Sequence, residues 1–189
     1  ESASSLGPEA GVRGNLADLR LWLESADPSS LMPSFKTVES IQALLSATPA
    51  VLNGLLHRLD GNSWSRKRTH DDWSLTELIC HLRDTEREIH HMQINLFNEQ
   101  DEPFIPRPDT GVWASQRDYL HEDGGLALKE FNEARGETIR LLKNIKVENW
   151  KRKARHAIFG PTNFLEVANF ITDHDRMHIQ QAWAALKKI

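Results

Sequence analysis

The sequence predicts an all-α protein built as a four-helix bundle with short extra helices. Three observations point there. Four long stretches place apolar residues at steps of three and four, the spacing of one helix face. No segment alternates convincingly with period two, as a half-buried strand would. Clusters of proline, glycine and polar residues separate the four stretches.

Residues 1–14 are rich in Ser, Gly, Ala and Glu, a composition that predicts disorder. Asn15 to Ser25 can form a short helix with Leu16, Leu19 and Leu23 on one side. The stretch from Asp27 to Ser34, with Pro28 and Pro33, reads as linker. Residues 1–35 are therefore expected to form a partly disordered N-terminal extension, and residues 36–189 the bundle.

The first long helix is expected from Thr37 to Leu59, with Val38, Ile41, Leu45, Leu52, Leu55, Leu56 and Leu59 inward. Pro49 should kink it or restart it. The second opens at Ser74, where Ser74 and Glu77 match a capping box, and runs to about Asn98. Pro103, Pro106 and Pro108 then exclude helix interior. The third region spans Thr110 to Ile145, broken near Gly124-Gly125. The fourth begins at Thr162 or Asn163 and ends near Leu186. Its long preceding connection allows a crossover topology.

The bulk numbers exclude several classes. The chain has 189 residues, enough for one well-buried core. Its net charge of −4 offers no basic field for nucleic acid or anionic lipid. No apolar run approaches the roughly 20 residues that span a bilayer. Cys80 is the only cysteine, so an internal disulfide and a four-thiolate zinc site are impossible. Residues 1–35 lack the apolar run of a secretory signal, and a reducing cytoplasm is the expected setting.

The most informative stretch is Asp173-His174-Asp175-Arg176-Met177-His178. Its two histidines stand four apart, one turn apart on a single helix face. That face also carries Phe164, Ala168, Ile171, Ala182 and Ala185, so the imidazoles fall in a core stripe. A bound metal is the leading reason for two imidazoles there. Three protein ligands and an open position mark a catalytic ion, and His81 is the best third. It flanks the apolar stripe of the second helix beside Leu78, Leu82 and Thr85. His90, nine residues on, points about 180° away on a regular helix, and His91 about 80° off. His57, His70, His121 and His156 lie in polar or loop contexts. Such pairs also occur as surface neighbours, and a lone buried histidine can simply be hydrogen-bonded.

The stretch Trp73-Ser74-Leu75-Thr76-Glu77-Leu78-Ile79-Cys80-His81-Leu82 resembles the W-S-x-x-E-x-x-x-H-L signature of the DinB/YfiT-like superfamily. The run from His174 to Gln181 resembles its H-x-x-x-H-x-x-Q ending. The resemblance covers about residues 37–187. It implies a four-helix bundle holding a divalent metal (zinc, nickel or iron) on His81, His174 and His178, often as a homodimer. It implies transfer of a low-molecular-weight thiol, such as bacillithiol, mycothiol or glutathione, to an electrophilic small molecule. A metal-dependent hydrolase and a non-catalytic metal-containing stress or binding protein are the alternatives. The family name carries no implication of DNA binding. The ergothioneine-type branch ends H-x-x-x-H-x-E, and Gln180 departs from it.

No other residue is assigned a catalytic role. Asp84 and Glu88 could orient a ligand or take a proton, or pair with Arg83 and Arg87. Asp173 and Asp175 are expected to be surface charge rather than partners of a ligand's free nitrogen. Cys80 reads as a small buried residue. Trp73, Trp113, Trp150 and Trp183 are core, cap or pocket residues, and the loops at 99–112 and 146–162 are expected to shape the pocket.

Overall fold

The computed structural model describes residues 37–67, 69 and 72–187. The expected N-terminal extension, its short helix and linker, and His70 lie outside these residues. The first rod is α1 (Val38–Leu56), which buries Ile41, Leu45, Thr48, Leu52 and Leu56. Thr37 caps it by accepting from the Ser40 N–H at 3.2 Å. The short α2 (Gly61–Ser65) comes next.

The second rod has three parts: α3 (Leu75–Asp84), a π-helical turn (Thr85–His90) and α4 (His91–Glu99). It starts as the sequence requires. The Ser74 hydroxyl accepts from the Glu77 N–H, and the Glu77 carboxylate accepts from the Ser74 N–H at 2.8 Å. Such reciprocal caps contribute about 1 kcal/mol.

A two-residue strand β1 (Phe104–Ile105), α5 (Trp113–Gln116) and a 3-10 turn (Tyr119–His121) lead to the third rod, α6 (Gly124–Lys143). The Gly124-Gly125 break has a packing reason, because a Cβ at 124 would collide with the Trp64 indole. A second 3-10 turn (Val147–Lys151) and the hairpin β2 (Lys153–His156) and β3 (Gly160–Asn163) precede the last rod, α7 (Phe164–Leu186). Asn163 caps α7 by accepting from the Glu166 N–H at 3.0 Å.

In the bundle, α1 lies against α6 and α7, and α3 against the same two helices. The all-α four-helix bundle of the sequence stands, with one addition. The strands form a sheet of order β1-β2-β3, with β1 parallel to β2 and β2 antiparallel to β3. Period-two reading could not find them. β1 is two residues long, and the inward positions of β2 are Ala154 and His156, only one of them apolar.

The core is divided. One apolar cluster gathers Leu52, Leu75, Leu78, Leu82, Phe131 and Ala182; another gathers Ile41, Leu45, Ile94, Leu142, Phe164 and Ile171. Between them on every rod sits a buried polar residue: Thr48, Glu86, Arg135 and Asp175. Of the two outcomes expected at Pro49, the restart does not occur: α1 continues as one helix through it.

Candidate metal centre

His81 sits on α3, and His174 and His178 sit one turn apart on α7. Their Nε2 atoms converge. His174 Nε2 lies 3.1 Å from His81 Nε2 and 3.0 Å from His178 Nε2. The crossing height that the sequence left open is met, and the three rings can share one ion. Zinc–imidazole bonds of about 2.05 Å at tetrahedral angles set nitrogens about 3.3 Å apart, close to these two distances, and the ligand atoms of all three rings lie within 4.8 Å of one another.

Hydrogen bonding alone does not account for this cluster. His178 Nδ1 lies 2.7 Å from Gln181 Oε1, an acceptor, so Nδ1 carries the proton and Nε2 is bare. His174 Nε2 then holds either a proton or a lone pair, so only one of its two short contacts can be a full hydrogen bond. Converging lone pairs call for a cation. Burial lowers all three basicities. It pushes His81 down to about 3, helped by the charge of His178, and His174 well below its ordinary value. It lowers His178 too. The imidazoles are therefore neutral at pH 7, the form that ligates.

The cluster forms one wall of a cavity of about 730 Å³. Trp73, Leu78 and Met177 supply apolar lining, and Arg66, Lys67 and Arg107 supply cations. Trp73 lies parallel to the His178 ring and 4.9 Å from the His81 ring. The 99–112 loop contributes Arg107, Asp109, Thr110 and Gly111, as expected. The 146–162 connection contributes none of the lining; its Trp150 and Ala154 pack into the second apolar cluster instead.

The remaining candidates lie elsewhere. Asp84 accepts from Arg83 at 2.7 Å, Arg117 at 2.9 Å and Tyr119 at 2.6 Å, and Glu88 accepts from Arg117. Neither lines the cavity. Cys80 is buried, and burial pushes its thiol up to about 12. Asp173 is surface charge paired with Arg176 at 3.0 Å. Asp175 is not; it is 2% exposed and takes Arg135 and, at 2.8 Å, the Thr48 hydroxyl. His156 is buried on β2 rather than in a polar loop. Trp113 lies under the Arg117 guanidinium, Trp150 is core, and Trp183 is half-exposed beside Lys187.

Behind the cluster lies an ionic layer that periodicity did not reveal. Arg135, 0% exposed, donates to Glu86 through Nε at 2.7 Å and Nη2 at 2.8 Å, and to Asp175 through both Nη groups. Thr138 donates to Glu86 as well. Burial opposes ionisation of Glu86, but the Arg135 charge outweighs it and holds the carboxyl well below its usual range.

Fold and cluster together define a helical-bundle protein whose side chains can hold a metal ion. The family model of the DinB superfamily matches residues 44–182, and the chain belongs to that superfamily. Among solved structures it is similar to YfiT from Bacillus subtilis, described as a probable metal-dependent hydrolase with an unusual four-helix bundle topology. Identity is 17% with a TM-score of 0.72, over 83% of this chain and 90% of that one. At that identity the likeness establishes the fold alone. A comparison with curated proteins gives no match. No helix among the described residues is long and apolar enough to cross a membrane.

Proposed function

We propose that the chain is a metal-dependent enzyme that transfers a low-molecular-weight thiol to an electrophilic small molecule, with His81, His174 and His178 as ligands of a divalent ion. The observation that carries this reading is the neutrality of the ligand set. Three imidazoles converge, and among the described residues no carboxylate joins them. A divalent ion held there keeps its full charge and stabilises a thiolate over a thiol at neutral pH.

The chain's own residues supply the rest. Gln181 fixes the His178 tautomer. Trp73, Leu78 and Met177 give the cavity an apolar wall that limits water. Arg66 and Arg107 give it charges suited to an anionic group on thiol or acceptor. A thiol donor also implies a reducing setting such as the cytoplasm. The homodimer belongs to the same reading. Exposed Ile158, Phe159 and Phe170 offer an apolar face, and sedimentation would check it.

Hydrolysis is the second reading. It is favoured by the description of YfiT and by Asp109 on the cavity wall, a carboxylate able to take a proton.

The test is a titration of the cobalt-substituted protein with glutathione or bacillithiol. A thiolate-to-cobalt charge-transfer band is expected. No band, together with turnover of an activated ester, would replace thiol transfer by hydrolysis; no band and no turnover would leave a metal-binding protein. Elemental analysis of His174→Ala should find the metal lost, and content equal to the parent would reject the three-histidine site.

A further inference from the structure

We infer that His90 is a positioning residue for His174, orienting that imidazole through Nδ1 so that Nε2 faces the shared ion; the inference rests on the three-histidine metal site proposed for this chain. The first observation is the π-helical turn. On a regular helix His90 points away from His81. Between Thr85 and His90 the backbone is π-helical, and an i→i+5 turn holds one residue more than an α-turn. The extra residue rotates the next part of the rod by about 100°. His90 thereby comes to the cluster, with its ring centroid 5.4 Å from that of His174 and the rings at 87°.

The second observation is the state of His90 itself. It is 5% exposed, and its Nδ1 lies 2.7 Å from Glu86 Oε2. Glu86 is held ionised by Arg135 and can only accept. Nδ1 of His90 therefore carries a proton. Glu86 thus engages Nδ1, and Nε2 is the nitrogen it leaves uncommitted.

The third is an unanswered donor. When Nε2 of His174 ligates an ion its proton must sit on Nδ1, and that atom is buried without a hydrogen-bond partner. Nδ1 of His81 is likewise unpartnered, but the Thr110 backbone acts on that ring, short of a full hydrogen bond. His178 has Gln181. Ligating histidines almost always donate their second N–H to a fixed acceptor. Two imidazoles joined by an N–H···N bond of about 2.9 Å have centroids about 5 Å apart, and the 5.4 Å between the His90 and His174 centroids places the rings within reach of such a contact. The π-turn, Glu86 and Arg135 thus form one device, which sets the His90 ring, held at Nδ1 by Glu86, beside the His174 ring.

Two variants separate this role from a structural one. His90→Asn keeps a polar group where Nδ1 meets Glu86 and deletes the far nitrogen. His90→Gln reaches the far position. Cobalt affinity, measured against a competing chelator, should fall by about 10–100-fold in His90→Asn, with an altered cobalt d–d spectrum, and return to within a few-fold of the parent in His90→Gln. Apo melting of the two variants should agree. Equal affinity of His90→Asn and a cobalt-binding parent overturns the assignment. So does equal weakening in both variants with lowered apo melting, which would make the role purely structural. A measurement on the parent covers the case in which a variant fails to fold. In the zinc-loaded protein the His174 Nδ1 proton should exchange slowly by 15N NMR, and fast exchange overturns the assignment. A parent that binds no cobalt overturns the metal reading and this inference with it.

Discussion

Two polar clusters share the middle of the bundle, and α7 feeds both: His174 and His178 go to one, Asp175 to the other. They are built in opposite ways. In the charged cluster every group is answered. Arg135 meets two carboxylates, Glu86 also takes Thr138 and His90, and Asp175 takes Thr48. In the imidazole cluster the nitrogens crowd together with too few protons to pair them, and two Nδ1 atoms have no partner. A protein tolerates unanswered buried polar groups where something other than stability selects them. The charged layer ties the four rods together, and the imidazole layer brings together three rings that can share an ion.

The sharpest way to test that contrast is to break the charged layer. Arg135→Met leaves Glu86 and Asp175 buried with no counter-charge. Removing one partner of a buried ionic set costs about 3–5 kcal/mol. Urea denaturation of the apo protein should show a loss of that size. Adding Glu86→Gln and Asp175→Asn should recover most of it, because the uncompensated charges are then gone. A loss below about 1 kcal/mol for Arg135→Met would mean that water already reaches the layer, and the contrast would fail.

Acid probes the other cluster. The native pKa of His81, about 3, lies below its ordinary 6.5, with burial the main cause. The unfolded chain therefore binds a proton that the native state refuses. Stability is full above about pH 6.5, falls as pH drops below it, and goes on falling to about pH 3. At pH 5 His81 alone should cost about 2 kcal/mol. His174 and His178 shift in the same direction. Apo protein should therefore melt earlier at pH 5 than at pH 7.5, and His81→Ala should flatten that dependence. An unchanged slope would place the acid sensitivity in the carboxylates, whose losses begin at lower pH.

The same contrast separates the parts of the molecule that can be read from its sequence from those that cannot. Local rules are enough for the rods, for the Ser74–Glu77 cap and for the shared face of His174 and His178, since each depends on residues within one or two turns. His81 is legible because it flanks an apolar stripe. His90 is not, because its direction on a regular helix is the wrong one, and nothing in Thr85–His90 announces an added residue. Asp175 is expected outside because an aspartate on a helix usually prefers water. Only the arrival of Arg135 from 40 residues away makes its burial tolerable. The hairpin escapes for a similar reason, since β2 gains its partners from Pro103–Ile105 and Gly160–Asn163 rather than from its own alternation.

Pro49 is the smallest and most specific test. Proline inside a helix removes one i→i−4 hydrogen bond and usually costs about 3 kcal/mol against alanine. The bond lost here is the one to the Leu45 carbonyl. That carbonyl does not go unused: Arg135 Nη1 approaches it at 3.4 Å, while the neighbouring Thr48 hydroxyl bonds Asp175. The proline thus opens a backbone acceptor toward the charged layer. In Pro49→Ala the restored N–H competes with Arg135 for Leu45, so the gain in apo stability should stay below about 1 kcal/mol rather than approach 3. In the Arg135→Met background no competitor remains, and the same substitution should gain more. A difference above about 0.5 kcal/mol between the two backgrounds would establish the coupling. Equal gains would mean that the layer closes on side chains alone and that the Leu45 carbonyl contributes nothing to holding Arg135.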